Sequence, residues 1–162
     1  MSDPKQLEAA KQQKMIPHLV CDPCSEAIEF YKRAFDAQEM CRIPAPHDGK
    51  LMHAAIMIDG DMVFLCDDFP EFCNGESASP KSLGGSAVTI HRYVADCDAS
   101  ILAAAEAGAT VKMPATDMFW GDRYGMVVDP FGHKWAFATR VRELSTEEMI
   151  EATKQAFAQP IG

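Results

Sequence analysis

The sequence is poor in basic residues and has no long apolar run. Lys and Arg number 15 against 24 Asp and Glu, so the formal net charge is −9. A nucleic-acid surface needs a clustered basic face that displaces counterions from phosphates, so we expect no nucleic-acid partner. No apolar stretch approaches the roughly 20 residues that a membrane-spanning helix needs, so we expect no membrane partner either.

The first residues also lack the features of a secretory signal. The segment MSDPKQLEAAKQQKM has no apolar core between a basic start and a small-residue cleavage site. The six cysteines are therefore expected to be reduced thiols rather than a disulfide framework. Together these absences predict a cytoplasmic protein.

The first part of the chain predicts one strand–helix–strand–strand–strand unit. Residues 1–14 are polar and are interpreted as an N-terminal arm, and residues 15–67 form the first module. Its strands are expected at 15–21, 39–43, 51–58 and 62–66, and its amphipathic helix at 25–35. Asp59-Gly60 favours a tight hairpin between the last two strands. The predicted order is βαβββ.

The same order recurs after a linker loop at residues 68–86, which is rich in Pro, Ser and Gly. The second module spans residues 87–140, with strands at 87–94, near 110–113, at 125–128 and at 135–139, and a helix at 98–107. Residues 141–162 form a C-terminal tail, in which a Ser-x-x-Glu capping box predicts a helix at 145–157.

A fixed offset of about 73 residues relates the two halves, which indicates an internal duplication. The identical pairs at this offset are His18 and His91, Cys24 and Cys97, Ile28 and Ile101, and Met40 and Met113. We therefore predict an α+β fold in which two βαβββ modules enclose a shared cavity. A cavity of this kind would hold a ligand between residues of both halves.

Four segments carry a resemblance to a known family. They are AIEFYKRAF at 27–35, PKSLGGSAVTIHRYVAD at 80–96, FWGDRYG at 119–125 and DPFGHKWAFAT at 129–139. The chain resembles PhnB-like members of the vicinal-oxygen-chelate superfamily, which contains glyoxalases, bleomycin-resistance proteins and dioxygenases, over residues 15 to 142. The resemblance implies a homodimer and a small organic ligand.

Metal-dependent enzymes of that superfamily hold a divalent ion with His or Gln and Glu, on the first and last strands of each module. Here those positions fall near Ile16, Phe64, Thr89 and Ala136, and none of these residues supplies the expected ligand. In one hypothesis, the neighbouring His18 and His91, with Asp67 or Asp68, form a displaced site for Zn, Ni, Mn or Fe. In the other, both histidines are cavity walls and no metal cofactor is bound.

Three further residues are candidates for ligand binding. Trp120 could stack on a ligand at the cavity rim while Arg123 grips an anionic or carbonyl group. The structural alternative is that Arg123 pairs with Asp122 or another carboxylate and that Trp120 packs in the core. Ala136 would leave space for a ligand where the family places a Glu.

A Cys21-x-x-Cys24 motif lies where the first strand meets the first helix. A helix N-terminus can lower the pKa of a thiol, which is the basis of redox chemistry in such motifs. The order of elements around it does not match a thioredoxin fold, so the alternative is a pair of structural thiols.

Two functions follow from the sequence. In the first, the protein binds a small organic molecule in the cavity without chemistry, as bleomycin-resistance proteins do. In the second, it is a metal-dependent lyase, isomerase or dioxygenase of the glyoxalase type that uses His18 and His91 as ligands.

Overall fold

A computed structural model describes residues 12–46 and 48–158. The predicted arm at residues 1–14 therefore lies outside the described residues except for its last three. The strands are β1 His18–Val20, β2 Gln38–Pro44, β3 Leu51–Ile58, β4 Asp61–Cys66, β5 Thr89–Tyr93, β6 Thr110–Asp117, β7 Asp122–Val128 and β8 Lys134–Arg140. The helices are α1 Cys24–Phe35, α2 Pro80–Leu83, α3 Cys97–Ala107 and α4 Thr146–Phe157, with a 3-10 turn at Pro70–Phe72.

The two halves form separate four-stranded sheets with the same topology, which confirms the predicted α+β fold of two βαβββ modules. The strand orders are β1-β4-β3-β2 and β5-β8-β7-β6. In each sheet the first strand runs parallel to the last, and the remaining neighbours are antiparallel. The main helices of the two modules begin at Cys24 and Cys97, which the duplication offset had paired.

Four strands differ in length from the sequence prediction by three or more residues: β1 and β5 are shorter, and β6 and β7 are longer. Proline explains the differences in β1 and β6. The strand predicted at 15–21 is shortened to His18–Val20, because Pro17 has no N–H with which to extend the ladder. The strand predicted near 110–113 instead continues to Asp117 through Pro114. β6 is an edge strand, where a proline is tolerated, and its register with β7 shifts in this stretch.

The predicted linker contains a short helix, α2, that the composition did not indicate. Asp68 accepts hydrogen bonds from the backbone N–H groups of Ala78 and Ser79, at 3.1 Å each. Pro80 then supplies the first helical position, where its missing N–H costs nothing. The linker is thus anchored to the end of β4.

The helices form the layer that joins the two modules. α1 packs against α3, and Phe35 of α1 contacts Trp135 and Phe137 of β8, with ring centroids 4.7 and 5.7 Å apart. Each sheet therefore turns one face toward this shared core. The opposite faces carry exposed side chains, among them His18 and His91. We call these opposite faces the open faces.

A buried carboxylate holds the two modules together. Asp129, in the β7–β8 turn, is 4% exposed and accepts hydrogen bonds from the Tyr31 hydroxyl at 2.6 Å and the Trp135 indole at 2.9 Å. It also accepts hydrogen bonds from the backbone N–H groups of Phe131 and His133, both at 2.9 Å. The DPFGHKW segment, which carries part of the family resemblance, is therefore structural.

The C-terminal helix α4 forms as predicted, and the Ser145/Glu148 capping box is present. None of its residues is buried, and Met149, Ile150 and Phe157 expose apolar surface. Among the described residues, α4 and the other helices are each too short or too polar to cross a bilayer.

Candidate functional site

His18 and His91 occupy equivalent places on the open faces of their sheets. His18 lies opposite Phe64 in the parallel β1–β4 ladder, and His91 lies opposite Ala136 in the β5–β8 ladder. Directly opposed residues of a ladder project to the same face. The ladder neighbours of Phe64 and Ala136 are thus the two histidines. Of the other two positions that the family resemblance implies as ligands, Ile16 precedes β1 and Thr89 lies opposite Lys134.

On the open face of the first sheet, two histidines flank a phenylalanine. The ring centroid of Phe64 lies 6.2 Å from His18 and 4.8 Å from His53, and the two imidazoles are 6.2 Å apart. Partial burial, with a smaller contribution from His53, lowers the pKa of His18 below its usual range. The uncharged imidazole is favoured here, which suits contact with an apolar ligand surface.

The open face of the second sheet carries a continuous series of rings, which we call the aromatic row: His91, Tyr93, Tyr124 and Trp120. The His91 ring lies 4.9 Å from Tyr93 and 5.9 Å from Tyr124, with which it is stacked. Tyr124 in turn meets Trp120 edge to face at 5.6 Å. The planes of neighbouring rings meet at 63°, 25° and 73°, so the row presents both faces and edges of apolar rings. Ala136 lies on the same face but is itself fully buried.

A cavity of about 730 Å³ lies between the modules and reaches the aromatic row. The first module and the segment before it contribute Gln13, Met15, Pro17, Ile58, Asp59, Asp61, Met62 and Val63. The second contributes Ile90, His91, Arg92, Tyr93 and Trp135. Its volume is typical of sites that bind small molecules. We call it the intermodule cavity.

A second cavity, of about 370 Å³, shares Tyr93 with the first, and we call it the Arg140 pocket. Its wall consists of Tyr93, Trp120, Asp122, Arg140, Arg142, Glu143, Leu144 and Met149. The Tyr93 hydroxyl donates to the buried carboxylate of Asp122 at 3.2 Å. The guanidinium of Arg140 lies over the Tyr93 ring, 4.7 Å from its centroid.

The side chains at and beside the four positions that the resemblance implies as ligands do not fit a divalent metal. The ladder pairs an imidazole with a phenyl ring in one sheet and with a methyl group in the other, and no carboxylate is present at these places. Over residues 12–46 and 48–158, no three His, Cys, Asp or Glu side chains are grouped so that they could hold an ion. Structural and catalytic sites normally supply at least three protein ligands.

Asp67 does not join the histidines, and this corrects the displaced site considered from the sequence. It is 5% exposed, and its two oxygens accept the backbone N–H groups of Cys24 at 2.9 Å and Leu51 at 2.6 Å. The carboxylate therefore stabilises the first turn of α1 and the start of β3, and its oxygens are not available to a metal ion. Asp68, the other candidate, is hydrogen-bonded to the linker.

Arg123 is also placed away from the aromatic row, so the structural alternative is correct for this residue. Adjacent residues of a strand project to opposite faces, and Tyr124 is on the open face. The Arg123 guanidinium instead binds both carboxylate oxygens of Asp98 at the start of α3, and it donates to Asp117 at 3.0 Å. Trp120, by contrast, is half-buried and lines the Arg140 pocket.

The Cys21-x-x-Cys24 motif has the properties of structural thiols. Both residues are fully buried. Burial raises the pKa of Cys21 well above its usual value, and burial together with Asp67 raises the pKa of Cys24 to about 12. A nucleophilic or redox-active cysteine needs the opposite shift, because the thiolate is the reactive form.

Sequence reasoning missed three residues of the site: Tyr93, Tyr124 and Arg140. Tyr93 follows His91 by two positions in a strand, so period-two alternation could have placed it on the same face. Tyr124 was seen only as part of FWGDRYG. Arg140 was beyond the expected end of its strand, and no signal in the sequence connects it to Tyr93.

Comparison with known proteins identifies the family of this chain. Residues 15–137 match the model of the Glyoxalase/Bleomycin resistance protein/Dioxygenase superfamily. The chain therefore belongs to this superfamily.

The chain is also similar to individual proteins and solved structures. An uncharacterized protein of Mycobacterium tuberculosis is 53% identical over 136 residues, which is 84% of this chain and 79% of the relative. The crystal structure of TioX from Micromonospora sp. ML1 is 26% identical, has a TM-score of 0.60, and is matched over 79% of this chain and 98% of TioX. A PhnB protein from Bacillus cereus shares the fold, at 15% identity and a TM-score of 0.57, over 78% of this chain and 99% of that protein.

Proposed function

We propose that the protein binds a small organic molecule on its open sheet faces and does so without a metal ion. The observation that carries the proposal is the pairing of His18 with Phe64 and of His91 with Ala136, at and beside the ligand positions that the resemblance implies. Such a set offers rings and a methyl group where a metalloenzyme needs carboxylates. We also propose a cytoplasmic location, where six free thiols would stay reduced.

The aromatic row supports the same proposal. Four rings lie within 6 Å of their neighbours along one sheet face, and the intermodule cavity opens beside them. Tyr93 is 54% exposed, so a planar ligand could cover it. Contacts of this kind supply binding energy by stacking and by removing apolar surface from water.

We further propose that a second copy of the chain borders the site. Each chain presents two open faces with equivalent histidines. A twofold axis would place the open face of the first module of one copy against the open face of the second module of the other copy, so the same contact would form twice. Light scattering is expected to give a mass of about twice the chain mass of 17.8 kDa. Phe64→Glu should shift the protein toward monomer, because it places a charge in the contact.

The matched control is Phe72→Glu, which adds the same charge to an exposed ring on the 3-10 turn, 72% exposed. It should leave the mass unchanged. A wild-type mass of 17.8 kDa at micromolar concentrations would contradict the dimer.

Ligand binding can be tested by a thermal-shift screen of planar aromatic compounds against protein prepared with chelator. Compounds that raise the melting temperature are expected, and chelator should not reduce their affinity. Tyr124→Ser should weaken the best compound about fivefold, because one stacking contact is worth on the order of 1 kcal/mol. Phe72→Ser, outside the site, should have no effect, and affinity that requires added zinc or nickel would contradict the proposal.

A further inference from the structure

We propose that the Arg140 pocket recognises the carboxylate of a planar aromatic ligand whose ring system lies on the aromatic row. This inference rests on the proposed function and deepens it, because it names the class of ligand that the site takes. It depends on the placement of Arg140, on the carboxylates around it and on the connection between the two cavities.

Arg140 presents hydrogen-bond donors that the protein's own carboxylates do not engage. Its side chain is 53% exposed, and the nearest carboxylate oxygens, of Asp122 and Glu143, are both 3.9 Å away. This separation is beyond hydrogen-bonding distance. A guanidinium has five N–H donors in a planar fork that matches the two oxygens of a carboxylate.

Two other arginines, Arg42 and Arg123, are held differently. Arg42 donates to Glu39 and to Glu29, at 2.6 Å in each case. Arg123 is bound by Asp98 and Asp117. Their donors are engaged by the protein's own carboxylates at hydrogen-bonding distance, whereas those of Arg140 are not.

The surroundings orient Arg140 rather than neutralise it fully. Its guanidinium lies over the Tyr93 ring, and the Tyr93 hydroxyl donates to Asp122, whose side chain is only 8% exposed. Glu143 is 86% exposed, so water screens its charge. Arg142 lines the same pocket and adds a second positive charge to its wall.

Tyr93 connects this charged wall to the apolar part of the site. It belongs to the Arg140 pocket, to the intermodule cavity and to the aromatic row. A ligand with its ring on the row would therefore direct a substituent toward Arg140. A carboxylate would gain charge-assisted hydrogen bonds there, while a neutral group would gain weaker ones and an amine would be repelled.

The probes that test this inference are 2-naphthoate and its neutral isostere 2-naphthamide, titrated calorimetrically into the full-length protein. Wild type is expected to bind naphthoate at least about tenfold more tightly than naphthamide. Arg140→Gln should weaken naphthoate about tenfold and change naphthamide less than about threefold. Arg140→Lys keeps the charge but loses the fork, and it should weaken naphthoate by an intermediate factor, which keeps the test valid if the first variant fails to fold.

Arg123→Gln is the matched control, because it removes the same group on the helix side of the adjacent strand, and naphthoate affinity should not change. Equal binding of both probes to wild type, or unchanged naphthoate affinity in both Arg140 variants, would overturn the inference while leaving organic-ligand binding intact. Failure of both probes to bind would also overturn it. The proposed function would then be judged separately by the compound screen.

Discussion

Replacing Asp129 with alanine is expected to destabilise the protein by on the order of 4 kcal/mol, a large part of the stability of an ordinary domain. The substitution removes the acceptor of four hydrogen bonds, from Tyr31, Trp135 and two backbone N–H groups. Buried donors without a partner each carry a desolvation cost. Urea denaturation followed by circular dichroism measures the difference.

Two variants show whether the cost arises from the buried network. Tyr31→Phe removes one donor without leaving Asp129 unsatisfied, and we expect a loss of only about 1 kcal/mol. Asp117→Ala removes an exposed carboxylate, 74% exposed, from its pair with Arg123, and surface pairs of this kind contribute about 0–1 kcal/mol. An Asp129→Ala variant as stable as Asp117→Ala would show that the carboxylate does not hold the modules together.

Replacing Gly121 with alanine is expected to cost on the order of 3 kcal/mol and to disturb the ligand site. Gly121 has a φ of +100°, and a Cβ there would lie 2.3 Å from the carbonyl oxygen of Arg142. The Gly121 carbonyl also accepts hydrogen bonds from the backbone N–H groups of Val141 and Arg142. Relief of the clash would move Trp120 and Arg142, both in the wall of the Arg140 pocket.

Gly75→Ala is the control for backbone strain alone. Gly75 has a φ of +84°, and nothing lies within 4 Å of the Cβ position. We expect it to cost about 1 kcal/mol and to leave ligand affinity unchanged. If the two variants lose the same stability, the approach of Arg142 is not what requires glycine in the FWGDR segment.

The sequence predicted the fold well because the signals involved are local or repeated. Asp59 and Gly60, with φ of 51° and 92°, form the hairpin that the dipeptide favours. The offset pairing of His18 with His91 anticipated their equivalent places on the two sheets. Hydrophobic periodicity and turn residues are visible without knowledge of tertiary contacts.

The candidate site was only partly predictable, because its details depend on strand faces and on contacts distant in sequence. Arg123 and Tyr124 are adjacent, so a shift of one residue decides which of them reaches the ligand surface. Asp67 follows the end of β4, where the alternation of side chains along a strand no longer fixes their direction. Its carboxylate accepts a hydrogen bond from the backbone N–H of Cys24. The contact of Arg140 with Tyr93 spans two strands, and no local pattern indicates it.

The most direct test of the account is nuclear magnetic resonance mapping of the best screened compound on metal-free, isotope-labelled protein. We expect the largest shift changes in β1, β4, β5 and β7, around His18, Phe64, His91 and Tyr124, and we expect saturation without added metal. Changes confined to the helix side of the sheets, or binding that occurs only after a divalent ion is added, would contradict the claim that the open faces bind an organic molecule directly.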